Sequence, residues 1–322
     1  MSTKTDQPTG LIFSTAPYQY LAKEMLAISR GFELGEIETR SFPDGERYMR
    51  VVSAVRGQDV ILIGGTINDG ATLDLFDLAC ALAGTGCRSL KVIVPFFGYS
   101  TMERAVKPGE VVKAKTRARI LSAIPIAPFG NEVLMLDLHS EGIPFYFEGP
   151  VKTRHVYAKP LVIEEARRLA GGREFVLGAP DAGRAKWVES LANDLGVPAA
   201  FVYKRRAASG EVSLSGVNLP IKGVDVIIYD DMIRTGGSIL QAAKAYKDAG
   251  ANRISLISTH GLFTNGALEK IRHSGLIEAV SVTNSHPEAL IAKTLDKTGF
   301  LNIVSTAKLF VENLKGAYDA HA

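Results

Sequence analysis

Short runs of aliphatic residues alternate with longer amphipathic stretches along the whole chain. The short runs are continuous Val, Ile and Leu without intervening polar residues, which is typical of strands covered on both faces. The longer stretches, such as residues 17–30 and 72–85, carry apolar residues at helical spacing. This alternation predicts an α/β fold in which crossover helices connect the strands of parallel sheets. The predicted strands are residues 11–15, 60–64, 92–96, 133–138, 175–179, 199–204, 226–230, 254–259 and 279–284.

The strand pattern repeats once within the chain. Three segments of the first half recur in the second half, in the same order and at a nearly constant separation. A single duplication explains all three matches, so we expect two tandem, doubly wound parallel-sheet domains. Ligands bind beyond the carboxyl ends of the strands in such sheets, so the residues after each strand are the candidates for function. The matched segments are 11–17 with 175–180, 57–63 with 223–229, and 89–99 with 254–263.

Composition and charge narrow the class of protein. The chain has 322 residues, of which 46% are hydrophobic and 22% charged, so two globular domains fit and a mainly disordered chain is excluded. Lys and Arg number 37 against 34 Asp and Glu, and this net charge of +3 gives no indication of a nucleic-acid partner. The first ten residues are polar, and no apolar run reaches the ~18 residues that span a membrane. We therefore expect a cytoplasmic protein that binds neither a membrane nor a nucleic acid.

The strongest local signal follows the predicted strand at 226–230. Two adjacent carboxylates, Asp230 and Asp231, precede a loop rich in glycine and hydroxyl groups and then an amphipathic helix. Glycine lets the backbone approach a ligand, and a helix N-terminus attracts anions. The pattern is typical of a monophosphate site beside carboxylates suited to sugar hydroxyls or a metal ion. The loop residues with this chemistry are Thr235, Gly236, Gly237 and Ser238.

The alternative for this segment is a tight turn with two capping acids. Adjacent carboxylates repel each other unless a cation, a partner or a hydroxyl-bearing ligand is present, which favours a binding site. The matching segment of the first half has Gly64 and Gly65 where the acids would be. We therefore expect function to concentrate in the second half.

Distinctive motifs occur along nearly the whole chain. They are SFPDGE (41–46), VPFFGY (94–99), KAKTRARIL (113–121), DLHSEGIPFYFEGPV (137–151), APDAGRAK (179–186), YKRR (203–206), DDMIRTGGS (230–238) and STHGLFTNGALEKI (258–271). These motifs resemble those of the ribose-phosphate pyrophosphokinase family, also called phosphoribosyl pyrophosphate synthetases. The loop at 230–238 alone also resembles the ribose 5-phosphate loop of type I phosphoribosyltransferases, but a transferase would not account for the other motifs.

The resemblance implies a domain organisation. Two domains of the type I phosphoribosyltransferase kind would span residues 1–155 and 156–306. The tail at 307–322 would pack back on the first domain, and the second domain would carry the ribose 5-phosphate loop.

The resemblance also implies a reaction. The family moves the diphosphoryl group of ATP to the anomeric hydroxyl of ribose 5-phosphate, with Mg²⁺ as cofactor. Asp230, Asp231 and the loop at 235–238 would hold the sugar phosphate and the ribose hydroxyls. Asp181 of APDAGRAK would face the diphosphate and the metal, with His139 of DLHS as its partner at the metal. Without the resemblance, a lone histidine is more often structural.

Two further motifs would complete the active site by resemblance. Lys204 and Arg206 of YKRR would stabilise charge that develops on the diphosphoryl group, although a solvated charge run is the plainer interpretation. Phe42 of SFPDGE would stack on adenine, with Asp44 and Glu46 holding the base. That loop reaches across a subunit interface in the family, so we expect self-association with a shared active site. Pro-Asp-Gly is also a strong turn signal by itself.

One loop departs from the family pattern. The family has Arg and Gln contacting the nucleotide where this chain has Thr101 and Met102, whereas the nucleotide-binding Arg104 is retained. We therefore expect altered nucleotide contacts. Two alternatives to the synthetase stay open, namely a non-catalytic regulatory homologue that assembles with a true synthetase and a phosphoribosyltransferase.

Overall fold

The chain divides into two compact units. The first unit comprises Met1–Tyr157 and Thr306–Ala322, and the second unit comprises Ala158–Ser305. A computed structural model describes residues 10–206 and 212–318, without the side chains of residues 182, 203–206, 212–215 and 315–318.

The first unit is built around one parallel sheet. Its strands are β1 (Gly10–Ser14), β2 (Phe32–Leu34), β3 (Ile37–Ser41), β4 (Arg47–Val51), β5 (Asp59–Ile63), β6 (Ser89–Val94), β7 (Asn131–Leu136) and β8 (Lys152–Val156). Six of them form the sheet in the order β2-β1-β5-β6-β7-β8, and β3 pairs with β4 in an antiparallel hairpin. The helices of this part of the chain are α1 (Gln19–Ile28), α2 (Asp69–Gly84) and α3 (Lys113–Ser122).

Continuous aliphatic runs place the central strands of this sheet in the core. Every residue of β5 is buried. Leu62, Val92 and Val133 belong to one hydrophobic cluster that also contains Leu75 and Leu78 of α2. Burial of each such side chain contributes about 1.5–3 kcal/mol, so the strand runs and the helix face stabilise the same core.

The second unit is built around a seven-stranded sheet. Its strands are β9 (Phe175–Ala179), β10 (Ala199–Arg206), β11 (Val212–Val217), β12 (Asp225–Ile233), β13 (Ile254–Gly261), β14 (Ala279–Thr283) and β15 (Leu301–Val304). They lie in the order β11-β10-β9-β12-β13-β14-β15, and all neighbours are parallel except β10 and β11. Its helices are α4 (Lys159–Ala170), α5 (Ala185–Leu195), α6 (Gly237–Asp248), α7 (Ala267–His273) and α8 (Pro287–Leu295). Within the described ranges, no helix is both long and apolar enough to cross a membrane.

The two sheets repeat one strand order. The sequence β2-β1-β5-β6-β7-β8 in the first unit corresponds to β10-β9-β12-β13-β14-β15 in the second. The matched strands β5 and β12 each begin with a buried aspartate that forms an ion pair, Asp59 with Arg88 and Asp225 with Arg173. The fold is therefore the predicted one, with two tandem, duplicated, doubly wound α/β domains.

The apolar pattern did not reveal the strands at the sheet edges. The edge strands β2, β8, β11 and β15 are short or contain polar residues, so they lack the continuous aliphatic runs of central strands. The Pro-Asp-Gly signal predicts a hairpin turn here but not the two strands, β3 and β4, that flank it. The residues of these strands are exposed or half-buried, so the strands lack the apolar sequence pattern by which buried strands are recognised.

The last helix, α9 (Ala307–Tyr318), belongs to the first unit. It packs against α1, and Phe310 of α9 is fully buried. Nη1 of Arg154 on β8 donates a hydrogen bond to the Asn313 carbonyl oxygen at 2.9 Å. These contacts hold the C-terminal segment on the unit that contains β1.

Helix α8 begins beside a half-buried histidine. Nδ1 of His286 accepts a hydrogen bond from the Glu288 N–H group at 3.2 Å, so the imidazole caps the helix. Burial, with a smaller contribution from His260, lowers the pKa of His286 from 6.5 to about 4. The neutral form therefore stabilises the fold above pH 6.5, and this contribution is lost as the pH falls through about 4.

We expect the melting temperature to fall between pH 6.5 and pH 4, and to fall less in His286→Asn. Asparagine also caps a helix but does not titrate. Thermal unfolding followed by far-ultraviolet circular dichroism measures the effect. His273→Asn is the control, because His273 is 73% exposed, and it should keep the wild-type pH dependence. Equal pH dependence in all three proteins would contradict the assignment to His286.

Candidate functional site

The second sheet divides between β9 and β12 at its carboxyl edge. β12 pairs with β9 only from Asp225 to Ile228, and beyond that point it pairs with β13 alone. The chain leaves β9 toward β10 and leaves β12 toward β13, on opposite sides of the division. Doubly wound sheets bind ligands at such a switch point. The strand is longer than the predicted 226–230, so both acids lie within β12 and not beyond it.

Two carboxylates and one arginine meet at this place. The side chains of Asp230 and Asp231 are 13% and 5% exposed, and that of Arg184 is 11% exposed. Nη2 of Arg184 forms an ion pair with Asp231, and its Nε lies 3.8 Å from Oδ1 of Asp230. The Asp231 N–H group also donates to Oδ1 of Asp230 at 2.9 Å. Arg184 is thus a counter-ion supplied by the chain itself.

The electrostatic balance of the pair is incomplete. Burial and the charge of Asp231 raise the pKa of Asp230 well above its ordinary value, although Arg184 opposes the shift. A carboxylate in this state gains free energy from a cation or from a hydroxyl donor that approaches it. Arg184 belongs to the APDAGRAK segment, but the sequence pattern alone does not indicate its ion pair with the acids. The available signal was a basic residue in the glycine-containing turn after β9.

The predicted phosphate loop connects β12 to α6. Gly236 has a φ of +77°, in the left-handed region, and a Cβ at this position would lie 3.2 Å from the Ile271 side chain. Thr235, Gly237 and Ser238 are exposed, and α6 begins at Gly237 without a side-chain cap. An open helix N-terminus beside two hydroxyl groups is suited to a phosphate.

Gly236→Ala is expected to lower the free energy of unfolding by about 1–2 kcal/mol, because an L residue is strained in the left-handed region. Gly237→Ala is the matched control. A Cβ there would meet nothing closer than Oγ1 of Thr235 at 3.9 Å, so this helical position should be unchanged or slightly stabilised. Urea unfolding of both variants tests the difference. Equal stabilities would show that residue 236 does not need the left-handed conformation.

The segment from Asp181 to Trp187 borders the acids. Oδ1 of Asp181 accepts a hydrogen bond from the Gly183 N–H group at 2.8 Å, and the Asp181 side chain is half-buried. Trp187, in the first turn of α5, packs with its ring centre 5.9 Å from that of Tyr229. Tyr229 immediately precedes the two acids. The segment therefore brings Asp181, Arg184 and Trp187 to the end of β12 that contains the acids.

The matching place in the first unit is arranged differently. A Cβ at Gly65 would lie 2.2 Å from the hydroxyl oxygen of the buried Tyr18. The Asn68 side chain accepts a hydrogen bond from the Ala71 N–H group at 2.8 Å, so α2 is capped by its own chain. Gly64 and Gly65 occupy the positions that correspond to Asp230 and Asp231 of β12. This arrangement favours the second unit as the sugar-phosphate site.

His139 lies in the first unit, after β7, and is exposed. The neighbouring Leu138 N–H group donates to Nε2 of His155 at 2.9 Å. Burial lowers the pKa of His155 to about 4, so this nitrogen stays an acceptor. Sequence reasoning missed His155, because a histidine in an edge strand carries no motif. Asp181 belongs to the other unit, and its predicted pairing with His139 at a metal stays a prediction.

Phe42, Asp44 and Glu46 lie at the exposed tip of the β3–β4 hairpin. The Phe42 N–H group donates to the Glu46 carbonyl oxygen at 2.8 Å, and Oδ1 of Asp44 accepts from the Glu46 N–H group at 3.0 Å. The Arg40 guanidinium lies 5.4 Å from the centre of the Phe42 ring, which is 41% exposed. The turn is therefore present, with an aromatic ring accessible for stacking.

Arg104 lies in the loop between β6 and α3 and is 78% exposed. Its Nε is 3.6 Å from Oε1 of Glu103. The Tyr146 hydroxyl donates to the Glu103 carbonyl oxygen at 2.6 Å, and the Ala114 N–H group donates to the Met102 carbonyl oxygen at 3.3 Å. The loop is thus anchored at residues 102 and 103, while Arg104 faces solvent.

Lys204 and Arg206 lie at the end of β10, and their side chains fall outside the described residues. The β10 backbone pairs antiparallel with β11, with a register shift between Tyr203 and Lys204. Such irregularities are frequent beside active sites. The catalytic role of these two residues stays a prediction.

Comparison with known proteins identifies the family. Residues 11–124 match the family profile described as the N-terminal domain of ribose phosphate pyrophosphokinase, and residues 187–320 match the phosphoribosyl synthetase-associated domain. A ribose-phosphate pyrophosphokinase of Helicobacter pylori strain J99 is 30% identical over 318 residues, which cover 98% of this chain and 95% of the relative. This chain belongs to the ribose-phosphate pyrophosphokinase family. A pyrophosphokinase of Thermococcus kodakarensis is 33% identical over 260 residues, covering 80% of this chain and 88% of the relative.

A solved structure shares the fold of this pyrophosphokinase family member. The phosphoribosylpyrophosphate synthetase of Mycobacterium smegmatis matches with a TM-score of 0.80, covering 97% of this chain and 99% of that chain at 24% identity. At this identity the match supports the fold alone. The comparisons confirm the predicted family, its enzymatic nature and the α/β class, whereas the roles of single residues stay predictions.

Proposed function

We propose that the protein transfers the diphosphoryl group of ATP to the anomeric hydroxyl of ribose 5-phosphate, giving 5-phospho-α-D-ribose 1-diphosphate and AMP. Family membership supports the overall reaction. The observation that carries the proposal is the pair of largely buried carboxylates, Asp230 and Asp231, which precedes an exposed phosphate-type loop at the switch point of the second sheet.

The second domain, residues 156–306, would bind ribose 5-phosphate at two ends. The phosphate would accept hydrogen bonds at the N-terminus of α6, from Thr235, Ser238 and the backbone around Gly237. The ribose hydroxyls would donate to Asp230 and Asp231. Fixing both ends presents the anomeric hydroxyl in one orientation, which removes much of the entropic barrier to the transfer.

Transfer of the diphosphoryl group requires positive charge around it, because negative charge spreads over its oxygens in the transition state. Lys204 and Arg206 are proposed for this role from the sequence. Their strand supports the assignment, since β10 is the sheet neighbour of β9, which leads into Asp181. The ion pair of Arg184 with Asp231 would hold this side chain in place until the sugar arrives.

The residues present fit a Mg²⁺ ion that is shared with substrate. Mg²⁺ prefers oxygen ligands and is usually bound through one or two carboxylates together with phosphate oxygens. The half-buried carboxylate of Asp181 is of this type, and Asp230 has the raised pKa of an acid that a cation would stabilise. When bound, Mg²⁺ would neutralise and orient the diphosphate oxygens. His139 is proposed as a further ligand on sequence grounds.

The first domain would bind the nucleotide. Phe42, Asp44 and Glu46 are proposed to hold the adenine base, and Arg104 to contact the nucleotide, because all four are exposed and carry suitable groups. Self-association with an active site shared between subunits and a location in the cytoplasm remain proposals from the sequence.

An activity assay with three arms tests the proposal. The protein is incubated with Mg²⁺, ATP and ribose 5-phosphate, and AMP and the 1-diphosphate are expected in equal amounts. A second arm supplies the 1-diphosphate with a nucleobase, and its consumption would indicate a phosphoribosyltransferase. A third arm adds an active relative, such as the Helicobacter pylori protein. No nucleoside monophosphate from any nucleoside triphosphate, while ribose 5-phosphate still binds, would refute catalysis by the protein alone. Stimulation of the relative would favour a regulatory homologue.

A further inference from the structure

A cluster of basic and aromatic side chains lies at the carboxyl edge of the first unit's sheet. Tyr99 follows β6, Asp69 begins α2, and Lys113 and Arg117 lie one turn apart on α3. Nζ of Lys113 is 4.7 Å from the centre of the Tyr99 ring, and the guanidinium carbon of Arg117 is 4.5 Å from it. The Tyr99 hydroxyl donates to Oδ1 of Asp69 at 2.5 Å, and Arg117 forms an ion pair with the same oxygen.

The charge of this cluster is not balanced. Asp69 forms an ion pair with Arg117, whereas Lys113 lies against the Tyr99 ring, acts on Asp69 only as a nearby charge and forms no ion pair with any residue in the described part of the chain. Helix α3 begins at Lys113 with no acidic residue in its first turn and no side-chain cap. The positive end of the helix therefore adds to the positive potential around Lys113.

Two local features of the cluster are unfavourable in the protein alone. Tyr99 has a φ of +63°, a conformation that residues other than glycine rarely adopt and that is enriched at functional sites. Nε of Arg117 is buried without a hydrogen-bond partner, which few buried donors tolerate. An anion that approaches the cluster would compensate the excess positive charge, part of which lies on an arginine whose hydrogen bonds are incomplete.

We propose that Lys113 and Arg117 bind the polyphosphate chain of the donor nucleotide. The inference rests on the proposed function, because it assumes that a nucleoside triphosphate contacts the loop containing Arg104. That loop ends at α3, and its Met102 carbonyl oxygen accepts a hydrogen bond from Ala114, the residue after Lys113.

The arrangement fits a chain of phosphates better than a single phosphate. Two cations one helical turn apart, about 5–6 Å between their Cβ atoms, can contact successive phosphate groups. Thr101 and Met102, within the loop itself, carry no charge. Helix α3 therefore supplies the cations that a triphosphate beside Arg104 requires.

Lys113→Ala tests the inference in the full-length protein. It removes a cation that takes part in no ion pair with the described residues, so the fold should be retained, and the melting temperature checks this. Isothermal titration calorimetry with ATP and Mg²⁺ should show affinity about 10-fold weaker than wild type, as expected for a lost charge-assisted contact. The salt dependence of binding should decrease as well. Lys113→Gln, which keeps most of the side-chain length, should show the same loss.

Lys115→Ala is the matched control. Lys115 lies on the same helix and carries the same charge, but two residues further on it points to another side. Its ATP affinity should stay within about 2-fold of wild type. All variants should bind ribose 5-phosphate as the wild type does, because that ligand is proposed for the second unit.

The outcomes separate this inference from the proposed function. Equal ATP affinities of Lys113→Ala and Lys115→Ala would overturn the inference and leave the proposed function standing. Weaker binding of inorganic phosphate with unchanged ATP binding would also overturn it, and would assign the cluster to free phosphate. A wild-type protein that binds ribose 5-phosphate but no nucleoside triphosphate would overturn both.

Discussion

Asp231→Asn is expected to weaken ribose 5-phosphate binding by about 100-fold while the second unit stays folded, because hydrogen bonds to a charged group contribute about 1.5–3 kcal/mol. An asparagine has no charge and fewer acceptor sites for the ribose hydroxyls. Arg184 keeps Asp230 as a counter-ion, with Nε 3.8 Å from its carboxylate oxygen, so no buried charge is left alone. Loss of the Asp231 charge also lowers the pKa of Asp230 toward its ordinary value, since Asp231 is one cause of the rise.

Calorimetric titration with ribose 5-phosphate measures this effect, and Asp248→Asn is the control. Asp248 is a 63% exposed carboxylate at the other end of α6, where it pairs with Lys244 on the surface. Its substitution should change the affinity by less than about 2-fold. If both variants bound the sugar phosphate as tightly as the wild type, Asp231 would not hold the ribose. If both bound it more weakly by a similar factor, the overall charge of the unit would be the cause instead.

Lys204→Ala is expected to lower kcat by about 100- to 1000-fold, the usual effect of removing a group that stabilises transition-state charge. The affinity for ribose 5-phosphate should change by less than about 3-fold, because the charge acts on the diphosphoryl group during transfer and not on the bound sugar. The backbone supports this role. Phe201 of β10 pairs with Ala179, the last residue of β9, so Lys204 lies beyond the carboxyl end of that strand.

Single-turnover kinetics combined with a binding titration separates the two quantities. Lys244→Ala, a change of the same type at a 68% exposed surface position on α6, should keep both kcat and affinity. Equal losses of turnover and of ribose 5-phosphate affinity in Lys204→Ala would contradict a transition-state role.

The sequence predicts the central strands and the part of the site that lies in one contiguous segment. Central strands are continuous aliphatic runs, so β5, β9 and β12 are visible without any knowledge of their neighbours. The edge strands cannot be recognised in this way, because one of their sides is solvated and polar residues alternate with apolar ones along them. Asp230, Asp231 and the glycine loop form one contiguous segment, and its chemistry can be interpreted locally.

The rest of the site depends on contacts between distant segments. Arg184 pairs with two acids that lie beyond α5, β10 and β11 in the sequence, and no local pattern indicates that pairing. Lys113 and Arg117 resemble the polar face of a surface helix until the left-handed Tyr99 brings an aromatic face against them. Backbone conformation of this kind cannot be predicted from residue types alone.

The contact between Trp187 and Tyr229 has a practical consequence. Trp187 is the only tryptophan of the chain, and it lies three residues after Arg184 and packs on the tyrosine that precedes Asp230. Indole fluorescence responds to nearby charge and polarity. A rearrangement of Arg184 or the arrival of a sugar phosphate should therefore change the emission of a single chromophore whose position is known. The protein thus carries its own optical reporter, with which substrate exchange in the second unit can be timed without an attached label.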